Sequence, residues 1–218
     1  MSESSSVVMK DEYSLDTLSF REYRPADSQR FLEIMASSWP KLARGIHVFS
    51  VEWYVASAAW KEVACISNSV VGILFGRTDS DLTSLGRLRI FLTQVTAYLK
   101  LFFGLYGRLP HHLTTIKKAI SSDRKISISS REVDGEITFF AVDAAYRRKG
   151  IGKALMDRFI DHAKKRGARR ISVYTTDPGS DWPFYERYGF RKLSSFRDSF
   201  MSFAWEEEVK AIIYILDL

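Results

Sequence analysis

Two hydrophobic periods run along the chain, and they predict different elements. Residues 18–24 (LSFREYR) read as a first strand closed by Pro25. KEVACISNSVVGILFGRTDS reads as two strands joined by a tight turn at Ser67-Asn68-Ser69. ISISSREVDGEITFFAV gives two more strand-like runs about Asp134-Gly135. RRISVYTT, FRKLSSFRD and EEVKAIIYILDL supply the later strands. Helical spacing appears in PADSQRFLEIMASSW, where Asp27 or Ser28 is placed to cap and Phe31, Leu32 and Met35 share a face. The stretch up to Trp60 is expected to be helical in its second half. A further helix carries Leu155, Phe159 and Ala163 inward and ends at Gly167. WPFYERYGF is a short helix stopped by Gly189.

Residues 84–120 stand apart from this pattern. In LGRLRIFLTQVTAYLKLFFGLYG, the residues Leu88, Leu92, Val95, Leu99, Phe102 and Tyr106 recur at steps of four and three. Phe91, Tyr98 and Leu105 widen that stripe, while Arg89, Thr93, Thr96 and Lys100 take the other side. The pattern predicts an amphipathic helix with a broad apolar face. A second short helix is expected from Pro110 to Ile120. Arg87, Arg89, Gln94 and Lys100 interrupt any apolar run long enough to span a bilayer, so no stable membrane insertion is expected. The apolar face can close over a pocket as a lid, join the core, meet a second copy in a homodimer, or lie on a membrane. Lid or core packing is the expectation, because single broad stripes usually meet protein.

Composition narrows the class. At 218 residues the chain is long enough for one domain with an insertion; residues 1–12, polar and serine-rich, are expected to be a disordered tail, and residues 13–218 one domain. The net charge of +6 favours an anionic partner without choosing among nucleic acid, membrane and phosphorylated cofactor. Cys65 is the only cysteine, which leaves no intramolecular disulfide and no cysteine-based metal site, and its expected role is that of a buried small hydrophobe. No metal ligands are predicted. The N-terminus lacks the basic start and apolar core of a signal peptide, so a cytoplasmic setting is the expectation.

The chemistry concentrates in FFAVDAAYRRKGIGKALMDRF. A strand runs into Arg147, Arg148 and Lys149, then Gly150-Ile151-Gly152, and a helix begins. The first amides of a helix lack intrahelical partners and sit at the positive end of its dipole. Glycines let backbone approach a ligand closely, so this order suits a phosphate. Neither common nucleotide signature is present. Ala154 follows Gly152-Lys153 where a P-loop needs a hydroxyl, and Leu155 stands where a dinucleotide fingerprint needs a third glycine.

VDAAYRRKGIGKALMDRFIDHAKKRGARRISVYT followed by FYERYGF resembles the GNAT superfamily of acyl-CoA-dependent N-acyltransferases. The family signature Gln/Arg-x-x-Gly-x-Gly/Ala is matched by Arg147, Gly150 and Gly152, and the Phe-Tyr-x-x-x-Gly-Phe element by Phe184, Tyr185, Gly189 and Phe190. The likeness is strong over residues 135–193. It implies an α+β fold: a central mixed, mostly antiparallel, twisted sheet flanked by helices, here with a helical insertion (residues 84–120) between the third and fourth strands. It also implies acetyl-CoA as co-substrate, its diphosphate held by amides of Arg148, Lys149, Gly150, Ile151, Gly152 and Lys153, with Arg147 in the motif. Ala141 and Val142 would pair with the pantetheine arm.

By the same resemblance Tyr185 is the general acid beside the coenzyme A sulfur, and Glu136 the base that deprotonates the amine through water. Tyr188 is a weaker candidate for the acid, Asp134 and Asp143 are fallbacks for the base, and His111 and His112 lie in the insertion. Trp39, Trp53 and Tyr54 are candidates for the acceptor site. Many family members carry an asparagine before the Phe-Tyr element, and Asp177 and Asp181 occupy that segment here. The expected function is transfer of an acetyl group from acetyl-CoA to the primary amine of a small molecule, by direct attack in a ternary complex. A protein lysine or N-terminal acceptor and a non-catalytic acyl-CoA-binding module are the alternatives. No nucleic-acid partner is expected, since KKRGARR (residues 164–170) is explained by a solvated helix end with cations favoured by the dipole.

Overall fold

The computed structural model describes residues 17–107, 112–129 and 133–218. Seven strands form one sheet in the order β1-β2-β3-β4-β5-β7-β6. These are β1 (Leu18–Glu22), β2 (Trp60–Ile66), β3 (Ser69–Thr78), β4 (Gly135–Val142), β5 (Arg170–Asp177), β6 (Arg191–Arg197) and β7 (Lys210–Asp217). Every neighbouring pair is antiparallel except β4 with β5. The β2–β3 turn uses Ser67 and Asn68, both at positive φ, as a tight hairpin of that twist requires.

Helices cover both faces: α1 (Ser28–Ser38), α2 (Arg44–Ser57), α3 (Ser84–Phe102), α4 (His112–Ser129), α5 (Ile151–Lys165), α6 (Pro183–Tyr188) and α7 (Ser199–Trp205). On one face α5 buries Leu155, Met156, Phe159 and Ala163 against Leu74, Ile171, Val173 and Tyr214. On the other, Phe31, Ile34 and Met35 of α1 meet Val63, Cys65, Ile73 and Phe139. Cys65 is buried, as expected of a small hydrophobe.

Two glycines of β3 let α5 come close. A Cβ on Gly76 would lie 2.4 Å from a ring carbon of Phe159, and one on Gly72 would lie 3.0 Å from a Leu155 methyl. Phe159 is fully buried and cannot swing away. Gly76→Ala is therefore expected to destabilise the fold by about 1–3 kcal/mol, the usual range for overpacking. The corresponding fall in melting temperature is about 2–4 °C per kcal/mol for a chain of this size, read by thermal denaturation.

Three features differ from the sequence reading. ISIS, read as a strand, is the end of α4, and the expected polar loop at Ser121–Lys125 is helix too. The β4 hairpin expected at Asp134-Gly135 is absent: Asp134 instead anchors β4 to β5, its carboxylate accepting from the amides of Arg169 and Arg170 at 2.8 and 3.1 Å. Helix α7 was not anticipated at all.

The insertion does fall between the third and fourth strands, and Gln94 and Tyr98 of α3 line a cavity, but most of the predicted apolar stripe does not pack inward. The buried residues of α3 are Ala97 and Leu101, with half-buried Tyr98, packed on Ile46, Phe49 and Trp53. Leu88, Leu92, Val95, Leu99 and Phe102 point outward, and Phe91 is 60% exposed. The reason is steric. The aromatic face of α2 takes the small side of α3, where Ala97 permits close approach, and the larger stripe is left outside. No helix among the described residues is long and apolar enough to cross a membrane. The expected tail at residues 1–12 lies outside the described residues.

Candidate active site

The site begins where β4 and β5 part. Their parallel ladder has three pairs, Gly135 with Ile171, Glu136 with Ser172 and Ile137 with Val173. Beyond Ile137, β4 continues to Val142 without β5 beside it. The cause is local: Phe75 pairs with Phe139 and Gly76 with Ile137, so Thr138 is one residue too many for β3 and makes a bulge. A bulge bends its strand and increases twist. One edge of β4 from Thr138 to Val142, including Ala141, is thereby left for another extended partner.

β4 leads into the glycine loop. Asp143 closes its first turn by accepting from the Ala145 amide at 3.0 Å, and is itself paired with Arg30. That spends Asp143 on structure. Arg147 turns back onto the strand, its Nε donating to the Val142 carbonyl at 2.9 Å and its Nη2 to Ser38 Oγ at 3.3 Å. Arg148 and Gly150 both take positive φ, 60° and 82°, just before α5 begins. Ala154 makes the first backbone bond of the helix, to the Gly150 carbonyl at 3.0 Å. Among the described residues, the amides of residues 148–153 have no hydrogen-bond partner. Six open donors at a helix N-terminus make a cradle for an anion. Lys149 lies over the Tyr146 ring, and Lys153 pairs with Asp157 at 2.7 Å.

Phe140, which the sequence reading passed over, links this loop to the cleft. A Cβ on Gly152 would meet its ring at 3.1 Å, and the same ring lies 6.4 Å from that of Tyr185. Tyr185 sits in α6, which Pro183 starts and Gly189, at φ 112°, ends. It is 7% exposed and walled by Phe184, Phe190 and Tyr214. Burial pushes its phenol above the ordinary value, which keeps it protonated. Its hydroxyl has no partner among the described residues. Tyr188, by contrast, donates to Asp157 at 2.5 Å and belongs to the outside of α5.

Tyr185 and Glu136 line one cavity of about 310 Å³. Glu136 is ion-paired with Arg77 at 3.0 Å, and Arg77 also donates to the Ser57 carbonyl at 3.1 Å. Trp39, Trp53 and Tyr54 line the same cavity. His111 lies outside the described residues, and only the backbone of His112 is described.

The same cavity is lined by two carboxylates that the sequence did not flag. Asp198, 1% exposed, caps α7 by accepting from the Met201 amide at 2.8 Å, and also accepts from Ser122 Oγ at 2.9 Å and the Tyr174 hydroxyl at 2.7 Å. Asp123 accepts from the Tyr98 hydroxyl at 2.5 Å. Burial pushes Asp123 up to about 6; the Tyr98 hydrogen bond opposes this, and the charge of Asp198 adds to it. The folded protein therefore holds a proton on Asp123 more tightly than the unfolded chain. That costs stability as pH rises through about 6, with the full penalty above it. Asp123→Asn keeps an acceptor for Tyr98 and removes the charge. It should raise the melting temperature at pH 7.5 by several degrees, from roughly 1–2 kcal/mol of relieved destabilisation, and the gap to wild type should close near pH 4. Equal melting temperatures at pH 7.5 would count against a buried charge there.

The sheet thus opens after the pairing of β4 with β5, and among the described residues open amides at the start of α5 and the buried Tyr185 phenol lie on either side of Phe140. Residues 120–190 match the acetyltransferase (GNAT) family. The uncharacterized N-acetyltransferase YsnE of Bacillus subtilis is 36% identical over 67 residues, 29% of this chain and 44% of that protein. An uncharacterized N-acetyltransferase of Methanocaldococcus jannaschii is 39% identical over 67 residues, 30% of this chain and 29% of its own length. The likeness thus spans less than half of either curated relative. Among solved structures, one described as SsHAT superposes with a TM-score of 0.66 at 15% identity, covering 92% of this chain and 98% of that one. A polyamine N-acetyltransferase of Drosophila melanogaster gives 0.57 at 13% identity, covering 92% and 100%. These two share the fold.

Proposed function

We propose that the protein transfers an acetyl group from acetyl-CoA to the primary amine of a small molecule, by direct attack in a ternary complex. The observation that carries this reading is the run of six amides, unpartnered among the described residues, that Phe140 links to the cavity lined by Tyr185. Those amides bind the diphosphate, and the basic side chains of Arg148 and Lys149 add long-range attraction. The open edge of β4 pairs with the pantetheine arm around Ala141 and Val142, which sets the thioester in the cleft.

The step is then simple to balance. The amine lone pair attacks the thioester carbonyl, and backbone N–H groups of the bulged β4 segment stabilise the oxyanion. The carbon–sulfur bond breaks, and the departing thiolate takes the Tyr185 proton. The proton lost by the amine passes through water to Glu136, and Glu136 passes it back through water to the Tyr185 phenolate, restoring both groups. A cavity of about 310 Å³ is at the small end of ligand pockets, which favours a compact acceptor over a peptide. Two structures of the same fold carry names that specify small amines, agmatine and polyamine.

Release of free thiol from acetyl-CoA across a panel of small amines tests the reading. Amine-dependent release is the expected result. Acetylation confined to peptides, or release with no acceptor at all, would defeat it.

A further inference from the structure

We propose that the acceptor carries a second cationic group, as in an aliphatic diamine or an amino-guanidine, and that Asp123 and Asp198 hold that group at the far end of the cavity. The inference rests on the acetyl-transfer reading of the same site and names its substrate class.

Charge balance is the first argument. Among the described residues the cavity is lined by three carboxylates, Asp123, Glu136 and Asp198, and by one guanidinium, Arg77. Arg77 is taken by Glu136 at 3.0 Å. Asp198 has only neutral donors: the Tyr174 hydroxyl, Ser122 Oγ and the Met201 amide. Asp123 has the Tyr98 hydroxyl. Among the described residues neither carboxylate has an ion-pair partner. Buried carboxylates without a counter-charge are costly, and a bound cation removes that cost.

The walls supply the second argument. Trp53 and Tyr98 meet edge to face at 5.3 Å, and both line the cavity with Tyr54 and Phe49. Ring faces around a carboxylate pair suit an ammonium or guanidinium, which gains from both. A third observation lies nearer the reacting end, where the buried Thr138 hydroxyl oxygen, on the same cavity wall, has no hydrogen-bond partner. A polar atom so placed fits a ligand that brings its own donor or acceptor.

The division of labour follows from the chemistry. The reacting amine must be neutral to attack, and it lies at the Tyr185 and Glu136 end. The distal group stays charged and is held by two carboxylates and the aromatic walls. A monoamine of equal length loses that attraction, and an amino acid of equal length puts a third carboxylate beside two others.

Binding in the presence of coenzyme A, where no transfer can occur, tests this apart from catalysis. In calorimetric titrations of the full chain saturated with coenzyme A, 1,4-diaminobutane should bind at least tenfold more tightly than n-butylamine, and 4-aminobutyrate should not bind. Asp123→Asn should bring the diamine to the affinity of the monoamine, with a thermal melt confirming the fold. Equal affinities of wild type for diamine and monoamine would overturn the proposal, as would a diamine affinity that Asp123→Asn leaves unaltered. Thiol release with the same compounds reports on transfer separately: diamine binding without release would sink the acetyl-transfer reading and leave the cation site standing. Release with equal preference for both amines would do the reverse.

Discussion

Replacing Tyr185 by phenylalanine is expected to lower kcat for acetyl transfer by about 100- to 1,000-fold, within the range for loss of a positioned general acid. Acetyl-CoA affinity should not change. The substitution removes one oxygen from a ring held by Phe140, Phe184, Phe190 and Tyr214, so packing is preserved. Among the described residues that hydroxyl holds no hydrogen bond, so its loss strands no partner there. The effect belongs in kcat because proton donation to the thiolate matters only as the carbon–sulfur bond breaks. Burial raises the Tyr185 phenol, so its protonated form persists on the alkaline side. The wild-type rate should accordingly show no alkaline fall attributable to this group below about pH 10. A Tyr185→Phe enzyme with an unchanged kcat would remove the phenol from the mechanism.

The second large effect is expected at the cradle. Gly152 is the second residue of α5, where a carboxylate is favoured by the helix dipole and by the open amides around it. Gly152→Asp should therefore fold with nearly unchanged stability, the Cβ contact of 3.1 Å to Phe140 being taken up by a small ring shift. The same field that accepts this aspartate is the one proposed to hold the diphosphate. Filling it with a fixed negative charge should weaken acetyl-CoA binding at least 100-fold, about 3 kcal/mol, from repulsion at close range together with lost amide bonds. Paired melts and acetyl-CoA titrations read the two quantities separately. An intact melt with intact affinity would show that the carrier's phosphates bind elsewhere.

The two periods of the chain made most of the fold legible. β3, β4 and β7 are apolar runs bounded by turn residues, and α5 repeats Leu155, Phe159 and Ala163 so regularly that its buried face follows. The insertion misled for physical reasons. ISIS alternates like a strand, and only its place at the end of α4 holds it in a helix. The stripe of α3 is genuine, yet periodicity says which residues share a face and not which face finds a partner. Ala97 and the aromatic side of α2 decided that.

The site divides along the same line. The proposed anion cradle is local, a strand, two glycines and a helix start within about a dozen residues, so its strand–loop–helix order could be read directly. The end proposed to hold the acceptor is assembled from distant pieces. Ser122 and Asp198 are 76 residues apart in the chain, and they meet through α4, whose middle looked like a polar loop, and α7, which carried no signal. Phe140 was hidden in an apolar run where any aromatic reads as core. The bulge at Thr138 depends on register with β3 and is invisible without it.

The central claim is that backbone amides at the start of α5 grip the carrier of the acetyl group. Amide chemical shifts recorded while acetyl-CoA is titrated into the labelled protein test it most directly. The signals of residues 148–153 should move first and furthest, saturating with the same midpoint as binding measured by calorimetry. Binding that leaves those six signals in place while amides elsewhere shift would contradict the account.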